Sequence, residues 1–129
     1  MLKTGILNPQ INSLLARVRH TNLLVVADRG FPFWPQIETV DISLVDNVPT
    51  VLDVLAAIRP NFLIGQAWMA EEFLSQNNEA TQQKFRECLT GIPVVYEAHI
   101  AFKRRVSQAI GLIRTGDTIQ YANVILESG

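Results

Sequence analysis

Cysteine is nearly absent: Cys88 stands alone among 129 residues, so the chain can form no internal disulfide. That fits a reducing compartment, and the cytoplasm is the expected location. Long apolar runs are missing too. The longest, Leu23-Leu24-Val25-Val26-Ala27, falls far short of the roughly 20 residues that a membrane span needs. Met1-Leu2-Lys3-Thr4-Gly5 opens no apolar core or cleavage site of a secretory signal, and the mature protein is expected to start near Met1. Neither sign of charge prevails, with 11 Lys+Arg against 12 Asp+Glu. The resulting net charge of −1 offers no broad footprint for nucleic acid or an anionic membrane. There is no G-x-G-x-x-G and no Walker A loop, and Ser13, Ser43, Ser75, Ser107 and Ser128 sit in no nucleophile elbow. Histidine is scarce, and His20, His99 and Cys88 are not paired closely enough to suggest a zinc site. What these absences leave is a small-molecule ligand or a protein partner.

What is present reads as one globular domain over residues 1–129. The chain is 48% hydrophobic, and at this length it can bury roughly two-thirds of the surface it would expose unfolded. Asn8-Pro9 caps and opens a helix in which Ile11, Leu14, Leu15 and Val18 recur at helical spacing up to Arg19. Leu23 to Ala27 reads as a buried strand, followed by the loop 28–35. Alternation between Ile37 and Val45 predicts a second strand. Thr50 and Asp53 form a capping box for a helix that Pro60 stops. Residues 62–70 read as a strand, although Met69 to Leu74 also suits a helix; Asn77 or Asn78 then caps a helix running to Leu89, and 93–97 is a short strand. Phe102, Val106, Ala109, Ile110 and Ile113 predict a long helix over 99–115, and Tyr121 to Leu126 predicts a closing strand. Alternating helices and strands imply an α/β fold, a single three-layer domain with a mostly parallel central sheet.

In such sheets ligands gather beyond the carboxyl ends of the strands. Asp28 directly follows an apolar strand and His20 precedes it, so the two are candidates for one mouth. Asp28 would orient His20 or hold a substrate hydroxyl, or else the pair merely caps a turn and a helix end. His99 follows the strand ending at Glu97, as a site residue or a surface one. Tyr121-Ala122-Asn123 offers a phenol, a carboxamide and main-chain groups suited to sugar hydroxyls. Phe31, Phe33 and Trp34 cluster in a loop that is read first as core or interface, and Lys103, Arg104 and Arg105 as a solvated face.

Taken in order, several segments resemble one family almost end to end. They are Lys3-Thr4-Gly5-Ile6-Leu7-Asn8, Arg19-His20-Thr21, Val25-Val26-Ala27-Asp28 before a Phe-Pro loop, His99-x-x-Phe102-Lys103, Thr115-Gly116-Asp117, and Tyr121-Ala122-Asn123-Val124-Ile125-Leu126. The family is that of D-ribose pyranase and L-fucose mutarotase, small cytoplasmic sugar-interconverting proteins. The resemblance implies a catalytic His20, substrate contacts by Asp28, His99, Tyr121, Ala122 and Asn123, and a monosaccharide substrate. It also implies a ring-like homo-oligomer, decameric in the family, with pockets at subunit interfaces.

This chain departs from the family at Arg19, where glycine is usual, and at Arg29, where alanine is usual. Arg29 would pair with the pocket carboxylate or add a sugar contact. Phe102-Lys103-Arg104-Arg105 carries the ribose branch's Phe-Lys and also the arginine, but not the tyrosine, of the fucose branch. Opening a sugar hemiacetal needs a proton taken from the anomeric hydroxyl and one given to the ring oxygen. General acid and base groups suffice, with no cofactor. The competing expectations are a sugar-binding or transport-associated module without catalysis, and a scaffold that assembles through the Phe31–Trp34 loop.

Overall fold

The computed structural model describes residues 1–129. Asn8 starts the first helix as read: its Oδ1 accepts the Ile11 N–H at 2.9 Å and Pro9 occupies the first turn of α1, Pro9–Arg17. The helix stops at Arg17, because Val18 turns extended and its N–H closes on the Leu15 carbonyl. β1, Leu23–Ala27, is buried along its whole length. β2 is shorter than the alternation predicts, Glu38–Asp41. The capping box of α2, Val51–Ile58, forms in both directions, with Thr50 N–H on Asp53 and Asp53 N–H on Thr50 Oγ1. β3 runs Ile64–Ala70 and passes directly into α3, Glu71–Gln76, so that both readings of this stretch are realised in turn. Asn78 caps α4, Glu79–Cys88, through the Thr81 N–H at 2.9 Å. β4, Val94–Glu97, and α5, His99–Val106, follow.

The long helix expected over 99–115 is corrected here. After Val106 the chain turns, Ile110 N–H bonds the Leu23 carbonyl, and Gly111–Arg114 form β5. The apolar spacing spans a helix and then a strand buried on both faces, and no change of period marks the join. β6, Val124–Ser128, starts three residues later than predicted and ends two later.

The six strands lie in the order β2-β5-β1-β6-β3-β4. β6 alone is reversed: it pairs antiparallel with β1 and β3, whereas β1/β5, β2/β5 and β3/β4 are parallel. Alternate β1 residues divide the core. Leu24 and Val26 face Leu14, Val54, Leu55, Phe73 and Phe85 from α1 to α4, while Leu23, Val25 and Ala27 lie on the side of Phe102 and Val106 from α5. Helices therefore cover both faces of the sheet, which gives the three layers expected. No helix is long and apolar enough to cross a membrane.

Thr115-Gly116-Asp117 locks the carboxyl end of β1. Thr115 Oγ1 donates to the Ala27 carbonyl at 2.8 Å, and the buried Asp117 carboxylate accepts from Val51 and Ile119 N–H groups, each at 2.8 Å. A Cβ on Gly116 would stand 2.3 Å from the Val45 carbonyl oxygen, a backbone atom that cannot swing aside. Gly116→Ala is expected to destabilise the protein by about 1–3 kcal/mol through this overpacking, measurable as a lower denaturation midpoint. A midpoint equal to wild type would show that the 45–48 turn yields freely.

Candidate active site

One reversed strand gathers the polar residues. β1 and β4 run in the same direction, so Asp28 and His99, just past their carboxyl ends, come to one edge of the sheet. Because β6 enters from that edge, Tyr121 and Asn123 precede it there. The four residues line an open cleft of about 400 Å³ together with Lys103, Gln120 and the Gly30-Phe31-Pro32 turn. Gly30, Phe31, Pro32, Lys103 and Gln120 were not named as site residues by sequence reasoning, which read Phe31 first as core or interface and Lys103 as part of a solvated face. The available signal for Lys103 was its position four residues after His99, hence on the same face of α5.

Asn123 is buried, and its Oδ1 accepts the Asp28 backbone N–H at 2.7 Å, which leaves its NH2 for a ligand or for the Asp28 carboxylate. Asp28 Oδ1 accepts the Gly30 N–H at 3.0 Å. Burial pushes the Asp28 carboxyl above its ordinary value, the Gly30 N–H and the Asn123 carboxamide pull it back, and the charge of Asp117 adds to the rise.

His99 stacks on Phe102, with centroids 6.1 Å apart at 14°, and meets Tyr121 edge-on at 5.1 Å and 82°. Its Nδ1 is buried without a partner, which leaves Nε2 as the ring nitrogen that water or a ligand can reach. Burial holds the imidazole below its ordinary pKa, Lys103 lowers it further, and Glu72 and Asp28 oppose both. Tyr121 adopts φ 56°, a left-handed conformation that costs a bulky residue about 1–3 kcal/mol and concentrates at functional sites.

Two expectations are corrected. His20 is not at this mouth: it is exposed in the turn before β1, and the neighbouring Thr21 N–H bonds the Ser128 carbonyl at the far end of β6. β1 therefore separates His20 from Asp28 within one chain. Arg29 pairs with Asp46 at 2.6 Å, not with Asp28; its side chain is 58% exposed and borders a smaller cavity of about 180 Å³ beside the cleft. The Ala122 methyl is buried in the core, so a substrate contact by this residue falls to its main chain.

The aromatic loop divides as well. Phe31 is buried edge-on against Phe102, Phe33 is 66% exposed and Trp34 is half-buried. Of the basic run, Lys103 enters the cleft, while Arg105 bonds Glu97 at 2.8 and 3.0 Å and lies over Trp68.

A carboxylate, an imidazole, a phenol, a carboxamide and an ammonium around an open crevice at the strand ends define an α/β domain built to bind a small hydroxylated ligand. Its family resemblance holds: the chain belongs to the RbsD / FucU transport protein family, whose model matches residues 1–129. A D-ribose pyranase of Geobacillus kaustophilus is 40% identical over 129 residues, covering 100% of this chain and 94% of its own. Another, of Laribacter hongkongensis, is 36% identical over the same length. The Bacillus subtilis RbsD structure complexed with D-ribose superposes with a TM-score of 0.93 at 30% identity, covering 100% of this chain and 98% of that one. The fold also matches a fucose mutarotase of Streptococcus pneumoniae in complex with L-fucose, TM-score 0.84 at 19% identity, over 99% and 98% of the two chains.

Proposed function

We propose that this protein is a sugar isomerase, a D-ribose pyranase that interconverts ring forms of a free ribose-like monosaccharide. The observation that carries the reading is the convergence of Asp28, His99, Tyr121 and Asn123 on one cleft in a chain whose relatives are named D-ribose pyranase. Ring opening takes the anomeric hydroxyl proton and protonates the ring oxygen; closing through a different hydroxyl reverses both transfers. Atoms and electrons balance by proton movement alone. Asp28, held above the ordinary carboxylate range, accepts a hydroxyl proton or hydrogen bond. His99 offers Nε2–H to a sugar oxygen, and Tyr121 and the Asn123 NH2 fix the remaining hydroxyls. Lys103 faces the same oxygens as a donor.

His20 acts, in this reading, from a second copy of the chain, because its own β1 holds it at the opposite edge. Supporting an interface at the cleft, Phe33 and Ile100 flank it with 66% and 65% of their surface exposed. Phe33 follows the Phe31-Pro32 lining and Ile100 follows His99, so a neighbouring subunit seated there would cover apolar surface and close the pocket. Ring-like assembly follows if each subunit gives its His20 edge to the next cleft. The cytoplasmic location belongs to the same reading, in keeping with the free Cys88.

Magnetisation-exchange NMR on ribose, fucose and related pentoses tests the activity. Catalytic amounts of protein are expected to accelerate exchange between the pyranose and furanose signals of ribose. Line broadening that shows binding, with no faster exchange for any sugar, would make this a binding module instead.

A further inference from the structure

We infer that Glu72 is a positioning residue for His99, supplying from α3 the helix cap that α5 lacks and thereby fixing the imidazole that faces the cleft. The inference rests on the reading of His99 as a sugar-contacting residue. α5 opens with Ala98 at its N-cap, and a methyl group can accept no hydrogen bond. The first N–H groups of a helix have no partners within it. Both Glu72 carboxylate oxygens lie 3.1 Å from the His99 N–H. The meeting follows from register: β3 and β4 are parallel with Ala70 opposite Glu97, so the residues two positions past each strand, Glu72 and His99, arrive side by side.

This cap matters more than an ordinary one because the His99 ring has no hydrogen bond of its own. Imidazoles at active sites are commonly oriented by a bond to the nitrogen that faces away from the substrate. Here Nδ1 has no partner, and only Phe102 and Tyr121 brace the ring. Control of the Nε2 position therefore falls to the backbone at residue 99, which Glu72 holds. Its carboxylate also adds negative charge behind the ring, alongside that of Asp28 from the β1 loop and against the ammonium of Lys103 on α5.

Glu72→Ala, Glu72→Gln and His99→Ala are compared by exchange NMR for kcat and KM, and the His99 ring is titrated in wild type and Glu72→Gln. Glu72→Ala is expected to lower kcat roughly 10- to 100-fold through misplacement of the imidazole, with a smaller change in KM. Glu72→Gln keeps an oxygen acceptor for the N–H and is expected to recover most of kcat, while the lost charge moves the His99 midpoint to lower pH. An inactive His99→Ala beside a folded, fully active Glu72→Ala would overturn the inference alone. A folded Glu72→Gln with kcat as low as that of His99→Ala would overturn it as well, even if Glu72→Ala failed to fold, because that variant keeps the acceptor for the His99 N–H. Full activity in His99→Ala would remove both the site reading and the inference.

Discussion

Equal mixtures of His20→Ala and Asp28→Asn subunits, each nearly inactive alone, are expected to regain exchange activity at about a quarter of their sites after dissociation and reassembly. The fraction follows from counting: a site built from two subunits works only when the copy giving His20 carries the Asp28→Asn change and the copy giving Asp28 carries His20→Ala. Within one chain the two residues flank a five-residue strand, a separation of roughly 17 Å at the usual rise, too far for one sugar ring to touch both. His20→Ala alone is expected to cost about 10²- to 10⁴-fold in exchange, the usual contribution of a placed proton-transfer group. Its fold should survive, because the side chain is exposed.

The turn that carries His20 is also built with unusual rigidity. Thr21 adopts φ 68°, a left-handed conformation that a β-branched residue rarely takes. It is held by its N–H on the Ser128 carbonyl at 2.9 Å, by the Ser128 N–H on the Asn22 carbonyl at 3.0 Å, and by the Arg19 N–H on Asn22 Oδ1 at 2.9 Å. Strain kept in an exposed turn, with nothing in its own chain to bind, argues that the turn serves another surface. If His20→Ala alone retains full exchange, His20 is a surface residue and the chemistry belongs to Asp28 and His99 within one subunit; a mixture that stays inactive when both variants are inactive alone would refute a site shared between subunits.

Local signals in the sequence were readable where a single element decided the outcome. The caps at Asn8, Thr50/Asp53 and Asn78 and the buried run Leu23–Ala27 each depend on neighbours a few residues away. Asp28 and His99 were legible for the same reason, since each follows an apolar strand. The misread segment, 99–115, fails because an amphipathic helix and a strand buried on both faces are both apolar at Phe102, Val106, Ile110 and Ile113. Gly111 was the one local warning: a poor helix former, it is required because a Cβ there would stand 2.4 Å from Leu14 Cδ1. Strand order was out of reach. β5 inserts between β2 and β1, and reversed β6 lies between β1 and β3, through pairings that span most of the chain. That order carries Tyr121 and Asn123 to the cleft, sends His20 to the other edge, and sets Glu72 beside His99. Arg29 follows Asp28 in sequence, yet its guanidinium is drawn to Asp46, seventeen positions on, by a partner that spacing does not reveal.

Asp28→Asn should lower exchange by about 10²- to 10⁴-fold and yet raise the melting temperature at neutral pH. Burial, the largest influence on this carboxyl, makes its charged form costly in the folded state. The sign follows from linkage. With a folded pKa above the unfolded one, the group contributes no penalty while both states are protonated. As pH rises, the unfolded chain ionises first and stability falls until the folded carboxyl has titrated, after which the penalty stays constant. Asparagine removes that penalty and keeps an Oδ1 for the Gly30 N–H, while the bond from the Asp28 backbone to Asn123 does not involve the side chain at all. The difference in melting temperature between variant and wild type should therefore grow as pH rises through the range where the unfolded carboxyl ionises and level off once the folded carboxyl has titrated. Wild-type exchange should fall on the acid side at a pH above the ordinary carboxylate range, as Asp28 gains its proton. A variant less stable than wild type at neutral pH would mean that the carboxylate's own hydrogen bonds outweigh its desolvation. A more stable, inactive variant would place Asp28 among residues retained for chemistry at the expense of stability.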